Sequence, residues 1–136
     1  MHSTETGGLR MPRVGLGQDS HPFTDEEKPL LLAGVHIPDA PGLAGNSDAD
    51  LIFHTLTNAI SGISGKNILG PPADELCHSG VTDSRVYLEA ALETLAEHPH
   101  APRPYHVSIS VEGKRPRLWP HIPEIREAVA HALNLP

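Results

Sequence analysis

The stretch that decides the fold is Asn46-Ser47-Asp48-Ala49-Asp50-Leu51-Ile52-Phe53-His54, with its continuation to Gly65. Asn46 or Ser47 can cap a helix here, and Asp48 and Asp50 in its first turn suit the helix dipole. Apolar residues then recur at helical spacing; they are Ile52, Leu56, Ala59, Ile60 and Ile63. The pattern predicts an amphipathic helix that ends between Gly62 and Gly65, with His54 on a face other than the apolar stripe.

A second short motif, Asp19-Ser20-His21, brings two more side chains that can bind metal. It ends an extended-looking segment, and residues two apart in a strand point to the same face. With His54 on a nearby helix, Asp19 and His21 complete a set of three ligands, which leaves one tetrahedral position open as in a catalytic zinc site. The motifs predict metal binding by Asp19, His21 and His54. The alternative is a surface Asp-His pair with a separate helix histidine.

The remaining elements are predicted from the periodicity of apolar residues and from the capping and turn residues that bound each segment. Strands are expected over residues 13–19, 30–37 and 105–111, a second helix after a cap at Thr82, and a third over 120–134. Residues 66–81 are expected to form a loop. The order β-β-α-α-β-α indicates an α+β domain with two layers, a sheet and its covering helices. Three strands make a small sheet with exposed edges, so the predicted elements are one fewer than a complete domain would need.

Composition bounds the class of protein. The chain has 136 residues and a net charge of −7, which fits one domain and argues against general binding to nucleic acid or membrane surfaces. We expect residues 1–12 to be a flexible leader and residues 13–136 the domain. No apolar run reaches the ~20 residues of a membrane span. Cys77 is the single cysteine, so no intrachain disulfide can form, which fits a cytoplasmic protein.

Seven motifs follow one another in a fixed order, at residues 13–21, 32–38, 42–44, 47–50, 54–59, 83–85 and 115–123. In this order they resemble the 2-C-methyl-D-erythritol 2,4-cyclodiphosphate synthase family of the non-mevalonate isoprenoid pathway. The resemblance runs from about Arg13 to Pro136. It implies the fold of that family's trimer subunit.

The resemblance implies a phosphorus-oxygen lyase. Its substrate would be a CDP-linked methylerythritol whose 2-phosphate attacks the β-phosphate, closing a cyclic diphosphate and releasing CMP. It implies a homotrimer with active sites between subunits, and Zn²⁺ or another divalent metal on Asp19, His21 and His54. Mg²⁺ could accompany the substrate diphosphate.

The resemblance also implies a set of substrate-binding residues. Asn46 and Ser47 correspond to the place where the family holds the substrate phosphate, and Asp74 and Asp83 to the place of the methylerythritol part. The other members of the set are Asp19, Ser20 and His21, and a cytidine-diphosphate pocket formed by Arg115, Pro116, Arg117, Leu118 and Trp119.

The chain departs from the family pattern in three places. Asn46 occupies the catalytic position where the family usually has a histidine, and an asparagine donates only a neutral hydrogen bond. Residues 68–74 differ from the family's Ile-Gly-x-x-Phe-Pro-Asp. The family continues past the last helix into a Thr-Thr-x-Glu strand, so we expect a domain truncated at its C-terminus that lacks the last strands. The alternative function is a non-catalytic trimeric paralogue that binds metal or nucleotide.

Overall fold

The computed structural model describes residues 11–45 and 48–136. The predicted leader falls almost wholly outside this part, as do Asn46 and Ser47. Within it the structure is α+β, which confirms the predicted fold class. The elements in chain order are β1 (Leu30–Leu32), β2 (Val35–Ile37), α1 (Leu51–Ser64), α2 (Pro71–His78), α3 (Ser84–Glu97), a 3-10 turn (Trp119–His121) and α4 (Ile122–Ala132).

The apolar run at residues 30–37 forms a hairpin, so the prediction of one continuous strand was wrong. Strands β1 and β2 pair antiparallel, with Leu30 opposite Ile37. Ala33 and Gly34 make the turn with φ angles of 55° and 76°, the left-handed conformation that a tight hairpin turn requires. The alternate residues of both strands point into the core. The hairpin thus presents one apolar face to helix α1.

Helix α1 begins later than predicted. Its N-cap is Asp50, whose carboxylate accepts a hydrogen bond from the backbone N–H of Phe53, so the predicted caps at Asn46 or Ser47 were wrong. The helix ends at Gly65, which has a φ of 74°. Ile52, Leu56 and Ile60 of the predicted stripe are buried, which confirms this part of it, and Phe53 and Thr57 are buried as well. Helix α1 is buried on more than one side because it packs on both α3 and β1.

The predicted loop at residues 66–81 contains helix α2, so that prediction was also wrong. Pro71 and Pro72 occupy its first positions, where the missing N–H costs nothing. Helix α3 is capped by Asp83 and not by Thr82. Its buried stripe includes Leu88, Ala91 and Leu95, and its three glutamates are exposed.

Two of the predicted strands do not pair, so those two predictions were wrong. In the described part of the chain the sheet has two strands, β1 and β2, and neither residues 13–19 nor residues 105–111 join it. The first segment lies directly against α1, since a Cβ on Gly17 would come 2.0 Å from the carbonyl oxygen of Thr55. In the second segment, the half-buried residues Val107 and Ile109 pack against the core.

Helix α4 confirms the third predicted helix. Ile125 and Val129 are buried, whereas Ile122 at the start of the helix is 37% exposed. The helix contacts β2 and so closes the core on the side of the hairpin. Among residues 11–45 and 48–136, no helix combines the length and apolarity that a membrane crossing needs.

Candidate metal centre

The three predicted ligands meet in the fold. The candidate ligand atoms of Asp19, His21 and His54 all lie within 4.8 Å of one another. Nε2 of His21 is 2.8 Å from Oδ2 of Asp19, and Nδ1 of His54 is 3.4 Å from the same oxygen. Nε2 of His21 and Nδ1 of His54 are 3.4 Å apart. His54, which is 33 residues after His21 in sequence, therefore joins Asp19 and His21 in one cluster.

Asp50 fixes the helix that carries His54. Its carboxylate accepts hydrogen bonds from the backbone N–H of Ala33 at 2.9 Å, of Gly34 at 2.7 Å and of Phe53 at 3.1 Å. These bonds tie the hairpin turn to the first turn of α1. His54 follows one turn later, and its N–H donates to the carbonyl of Asp50 at 3.0 Å. The position of His54 is thus set by the hairpin as well as by the helix.

The segment before Asp19 is held against the same helix. Gly17 allows its backbone to lie on α1 at Thr55, where a side chain would collide with the helix backbone. The side-chain amide of Asn58 donates to the carbonyl of Gln18 at 3.2 Å. Asp19 is the next residue, so this contact sets the position along α1 at which the carboxylate of Asp19 meets His54.

His21 is oriented by a backbone carbonyl. Its Nδ1 lies 2.9 Å from the carbonyl oxygen of Ala44, and because a carbonyl only accepts, Nδ1 carries the proton. In a neutral ring the lone pair is then on Nε2, the atom that faces Asp19. Hydrogen bonding of the remote nitrogen in this way is typical of metal-binding histidines.

Burial shapes the charges around the cluster. Burial lowers the pKa of His54, an effect that the carboxylate of Asp19 partly offsets; the neutral imidazole that burial favours is the form that binds a metal. Burial raises the pKa of Asp50 to about 6, although its three backbone hydrogen bonds oppose the rise. The two effects have the same origin, which is the cost of placing a charge away from water.

The cluster fits a divalent metal. One carboxylate oxygen and two imidazoles are the ligands that Zn²⁺ and similar ions prefer. The side chains of Asp19 and His21 are 21% and 16% exposed, so the centre opens toward solvent on one side. A metal here would keep a position for a further ligand.

A cavity of about 320 Å³ extends from His21 to the segment after residue 111. It contains Arg115, Pro116 and Leu118 of the predicted cytidine-diphosphate pocket. The guanidinium of Arg115 lies 5.3 Å from the ring centre of Phe23, so a positive charge lines the same cavity as His21. The other lining residues are Leu30, Leu32, Leu43, Leu51, Val111, Glu112 and Gly113.

Other predicted substrate residues lie elsewhere. Asp74 is exposed in the first turn of α2, and Asp83 caps α3 by accepting from the N–H of Arg85 at 2.9 Å. Trp119 is 79% exposed. None of these three, nor Arg117, lines the cavity. Ser20 is exposed between the two ligands that flank it.

One residue of the site was missed from the sequence. The hydroxyl of Ser84 lies 2.9 Å from Nε2 of His54 and also contacts Asp48. Asp48 therefore reaches His54 through Ser84. The sequence offers no signal for this contact, because a serine at a helix start is ordinary.

The fold and the site define a small α+β protein with three side chains that could hold a divalent metal. Residues 12–136 match the YgbB family, and the chain belongs to this family. It is 46% identical over 127 residues to 2-C-methyl-D-erythritol 2,4-cyclodiphosphate synthase of Chlamydia caviae, covering 91% of this chain and 70% of that protein. The Chlamydia felis protein of the same name is 45% identical over 126 residues, covering 90% and 70%.

Solved structures agree with this membership. A structure of 2C-methyl-D-erythritol-2,4-cyclodiphosphate synthase in a CDP-bound form matches with a TM-score of 0.77 and 30% identity, covering 91% of this chain and 81% of that one. The CDP complex of IspF from Plasmodium falciparum matches with a TM-score of 0.69 and 27% identity, covering 91% and 74%.

Proposed function

We propose that the chain is a 2-C-methyl-D-erythritol 2,4-cyclodiphosphate synthase, a lyase of the non-mevalonate isoprenoid pathway. Relatives that carry this name align over nine-tenths of the chain. The observation that carries the proposal is the meeting of Asp19, His21 and His54 beside a cavity that contains Arg115. A cluster of metal ligands next to a cationic side chain is suited to a diphosphate.

The reaction is an intramolecular phosphoryl transfer. An oxygen of the substrate's 2-phosphate forms a bond to the β-phosphorus of the CDP group, and the bond from that phosphorus to the bridging oxygen breaks. CMP leaves with the bridging oxygen, and the product is a cyclic diphosphate. Such a reaction depends mainly on positioning and on charge neutralisation.

Each part of the site has a proposed role. Asp19, His21 and His54 hold a divalent metal, which we take to be Zn²⁺, and the ion would supply positive charge to the diphosphate. Arg115 adds a fixed positive charge across the cavity, which matters because the chain is acidic overall. The family resemblance assigns binding of the substrate phosphate to Asn46 and Ser47.

The remaining implied contacts are part of the same proposal. Asp74 and Asp83 bind the methylerythritol part, and Mg²⁺ accompanies the diphosphate. The cytidine-diphosphate pocket is formed by Arg115, Pro116, Arg117, Leu118 and Trp119.

The proposed assembly is a cytoplasmic homotrimer of a domain at residues 13–136, preceded by a leader at residues 1–12. In the single chain, Val14 and Leu16 are each 90% exposed and Tyr105 is 92% exposed. Large apolar side chains exposed to this degree favour an interface between subunits. Light scattering coupled to size-exclusion chromatography would give the mass of the assembly.

Release of CMP tests the function. Purified protein with Zn²⁺ and Mg²⁺ should convert the CDP-linked 2-phosphate substrate to CMP, measured by chromatography, and to a cyclic diphosphate, measured by ³¹P NMR. His54→Ala should abolish both products, whereas the exposed His36→Ala should leave them unchanged. Wild-type protein that binds metal but releases no CMP above a blank would overturn the proposal and favour a non-catalytic metal- or nucleotide-binding paralogue.

A further inference from the structure

A buried serine contacts His54 on the side away from the metal cluster. Ser84 is the first residue of α3 and is fully buried. Its Oγ lies 2.9 Å from Nε2 of His54, while Nδ1 of the same ring faces Asp19 and His21. The two ring nitrogens of His54 therefore serve two different groups.

The carboxylate of Asp48 is the acceptor in each of its hydrogen bonds with Asp50 and Ser84. It accepts from the backbone N–H of Ser84 at 3.0 Å and from that of Asp50 at 3.0 Å, and it also contacts Oγ of Ser84. An ionised carboxylate only accepts, and a serine has a single O–H to donate. Ser84 thus donates its hydrogen to Asp48. Its oxygen is left as an acceptor for His54.

The direction of these bonds determines where the proton sits on His54. Because Oγ of Ser84 accepts, Nε2 of His54 carries the hydrogen and Nδ1 carries the lone pair. In its neutral form His21 presents a lone pair from Nε2, because its Nδ1 donates to the carbonyl of Ala44. With both rings neutral, two imidazole lone pairs and the Asp19 carboxylate converge on one point, an arrangement that a cation satisfies.

Both ends of this chain of contacts are anchored. The N–H of Asp48 donates to the carbonyl of Thr82 at 2.8 Å, which ties the residues before α1 to the start of α3. Helices α1 and α3 also pack closely along their length. These backbone contacts hold Ser84 next to His54, and its Oγ contacts both Asp48 and Nε2 of His54.

We propose that Ser84 and Asp48 are positioning residues that fix the tautomer of His54 and keep its Nδ1 free for the metal. The proposal deepens the proposed function, since it rests on the metal site of that function. Without Ser84, the hydrogen can move to Nδ1 and bond to Oδ2 of Asp19, and this internal bond would compete with the metal. Loss of such an outer partner typically lowers metal affinity about 10–100-fold.

The test compares Ser84→Ala with Thr94→Ala. Thr94 lies on the same helix, is also buried, and donates its hydroxyl to the carbonyl of Ala91 at 2.5 Å, so it controls for loss of a buried hydroxyl in α3. Ser84→Thr restores the hydroxyl. The tautomer of His54 is measured by ¹⁵N NMR of the imidazoles in metal-free protein, and Zn²⁺ affinity by competition with a chelator.

The expected results separate positioning from packing. Wild type and Thr94→Ala should carry the hydrogen on Nε2 of His54 and bind Zn²⁺ alike. Ser84→Ala should shift the hydrogen toward Nδ1 and weaken Zn²⁺ binding about 10–100-fold, and Ser84→Thr should recover both. Wild-type protein with the hydrogen on Nδ1, or folded Ser84→Ala with unchanged tautomer and affinity, would overturn the proposal.

The outcome does not depend on catalysis. The tautomer is read without metal and without substrate, so the proposal is decided by the wild-type spectrum even if Ser84→Ala does not fold. Wild-type protein that binds Zn²⁺ but releases no CMP would remove the proposed function and leave the role of Ser84 intact. Wild-type protein that binds no Zn²⁺ would overturn the metal-binding part of both proposals.

Discussion

Nε2 of His21 and Nδ1 of His54 lie 3.4 Å apart, and Oδ2 of Asp19 contacts both rings. The first two residues of the cluster come from an extended segment that the fold holds against the helix of the third. Three ligand atoms from rigidly placed backbone give a centre whose geometry exists before any ion arrives. Such a centre loses little entropy on binding, which favours high affinity.

The first prediction is that wild-type protein binds about one Zn²⁺ per chain and that His54→Ala weakens binding by at least about 100-fold, because it removes a ligand outright. Elemental analysis gives the content, and chelator competition gives the affinity. His36→Ala is the matched control, since His36 is exposed on β2. Equal affinity in the two variants would refute the assignment of His54.

The second prediction concerns Asp50→Asn. In Asp50, Oδ1 accepts from Ala33 and Phe53, and Oδ2 accepts from Gly34. An asparagine can keep the first two bonds, but its amide then faces the N–H of Gly34 donor to donor. Because the lost bond is buried, we expect the free energy of unfolding to fall by about 1–3 kcal/mol, measured by urea denaturation at pH 7.

The pH dependence of that difference is the third prediction. Burial raises the pKa of Asp50 to about 6 in the folded state from 3.8, so the native protein binds more protons than the unfolded chain between these values. The stability contributed by protonated Asp50 is present below pH 3.8 and is lost as the pH rises through about 6. The advantage of wild type over Asp50→Asn should shrink by up to about 3 kcal/mol across this range.

His54 changes stability in the opposite direction but does not disturb this comparison. Its pKa is lowered from 6.5, so its contribution is present above pH 6.5 and is lost as the pH falls through the folded-state pKa. His54 is present in both proteins, and its effect cancels in their difference. A stability gap that is constant from pH 4 to pH 7 would contradict the raised pKa of Asp50.

Helix α1 shows how much of the fold the sequence determines locally. The spacing of Ile52, Leu56 and Ile60 predicted the buried stripe, because apolar residues at helical spacing lie on one face of the helix. The helix start could not be predicted, since Asn46, Asp48 and Asp50 are all good caps. Asp50 is the cap in the structure because the hairpin turn supplies it with further N–H donors, a contact 16 or 17 residues away in sequence.

Part of the candidate site could likewise be predicted from the sequence, and part could not. Asp19, His21 and His54 were predictable because metal ligands are restricted to few residue types with recognisable spacing. Ser84 carries no such signal, since a serine at a helix start is ordinary and its meeting with His54 depends on how α1 packs on α3. Helix α2 was missed because adjacent prolines are equally typical of a loop and of a first helical turn.

The fourth prediction concerns Arg115→Ala. Its guanidinium lies over the ring of Phe23 in the cavity that borders His21, but it is not a candidate metal ligand. We expect KM for the CDP-linked substrate to rise at least tenfold while Zn²⁺ affinity stays at the wild-type value, because a charge-assisted contact to the diphosphate is lost. Arg126→Ala, on the exposed face of α4, controls for loss of surface charge. Matching kinetics for the two variants would show that Arg115 does not contact the substrate.

The fifth prediction tests whether the segment at residues 13–19 positions the metal centre. A Cβ on Gly17 would lie 2.0 Å from the carbonyl oxygen of Thr55. A Cβ on Gly62 would lie 3.9 Å from the carbonyl oxygen of Leu16, its nearest neighbour outside the helix backbone. Gly17→Ala should therefore push the segment off α1 and carry Asp19 away from His54. We expect the free energy of unfolding to fall by about 1–3 kcal/mol, together with a clear loss of Zn²⁺ affinity.

Gly62→Ala makes the same chemical change on the helix side of this contact. Gly62 is exposed within α1, where alanine is favoured over glycine by up to about 1 kcal/mol, so this variant should be equally or more stable and should bind Zn²⁺ as wild type does. Urea denaturation and chelator competition on both proteins decide the matter. If Gly17→Ala retained wild-type stability and affinity, the segment could not be resting on Thr55, and the position of Asp19 along α1 would have to be set by the bond from Asn58 to Gln18 alone.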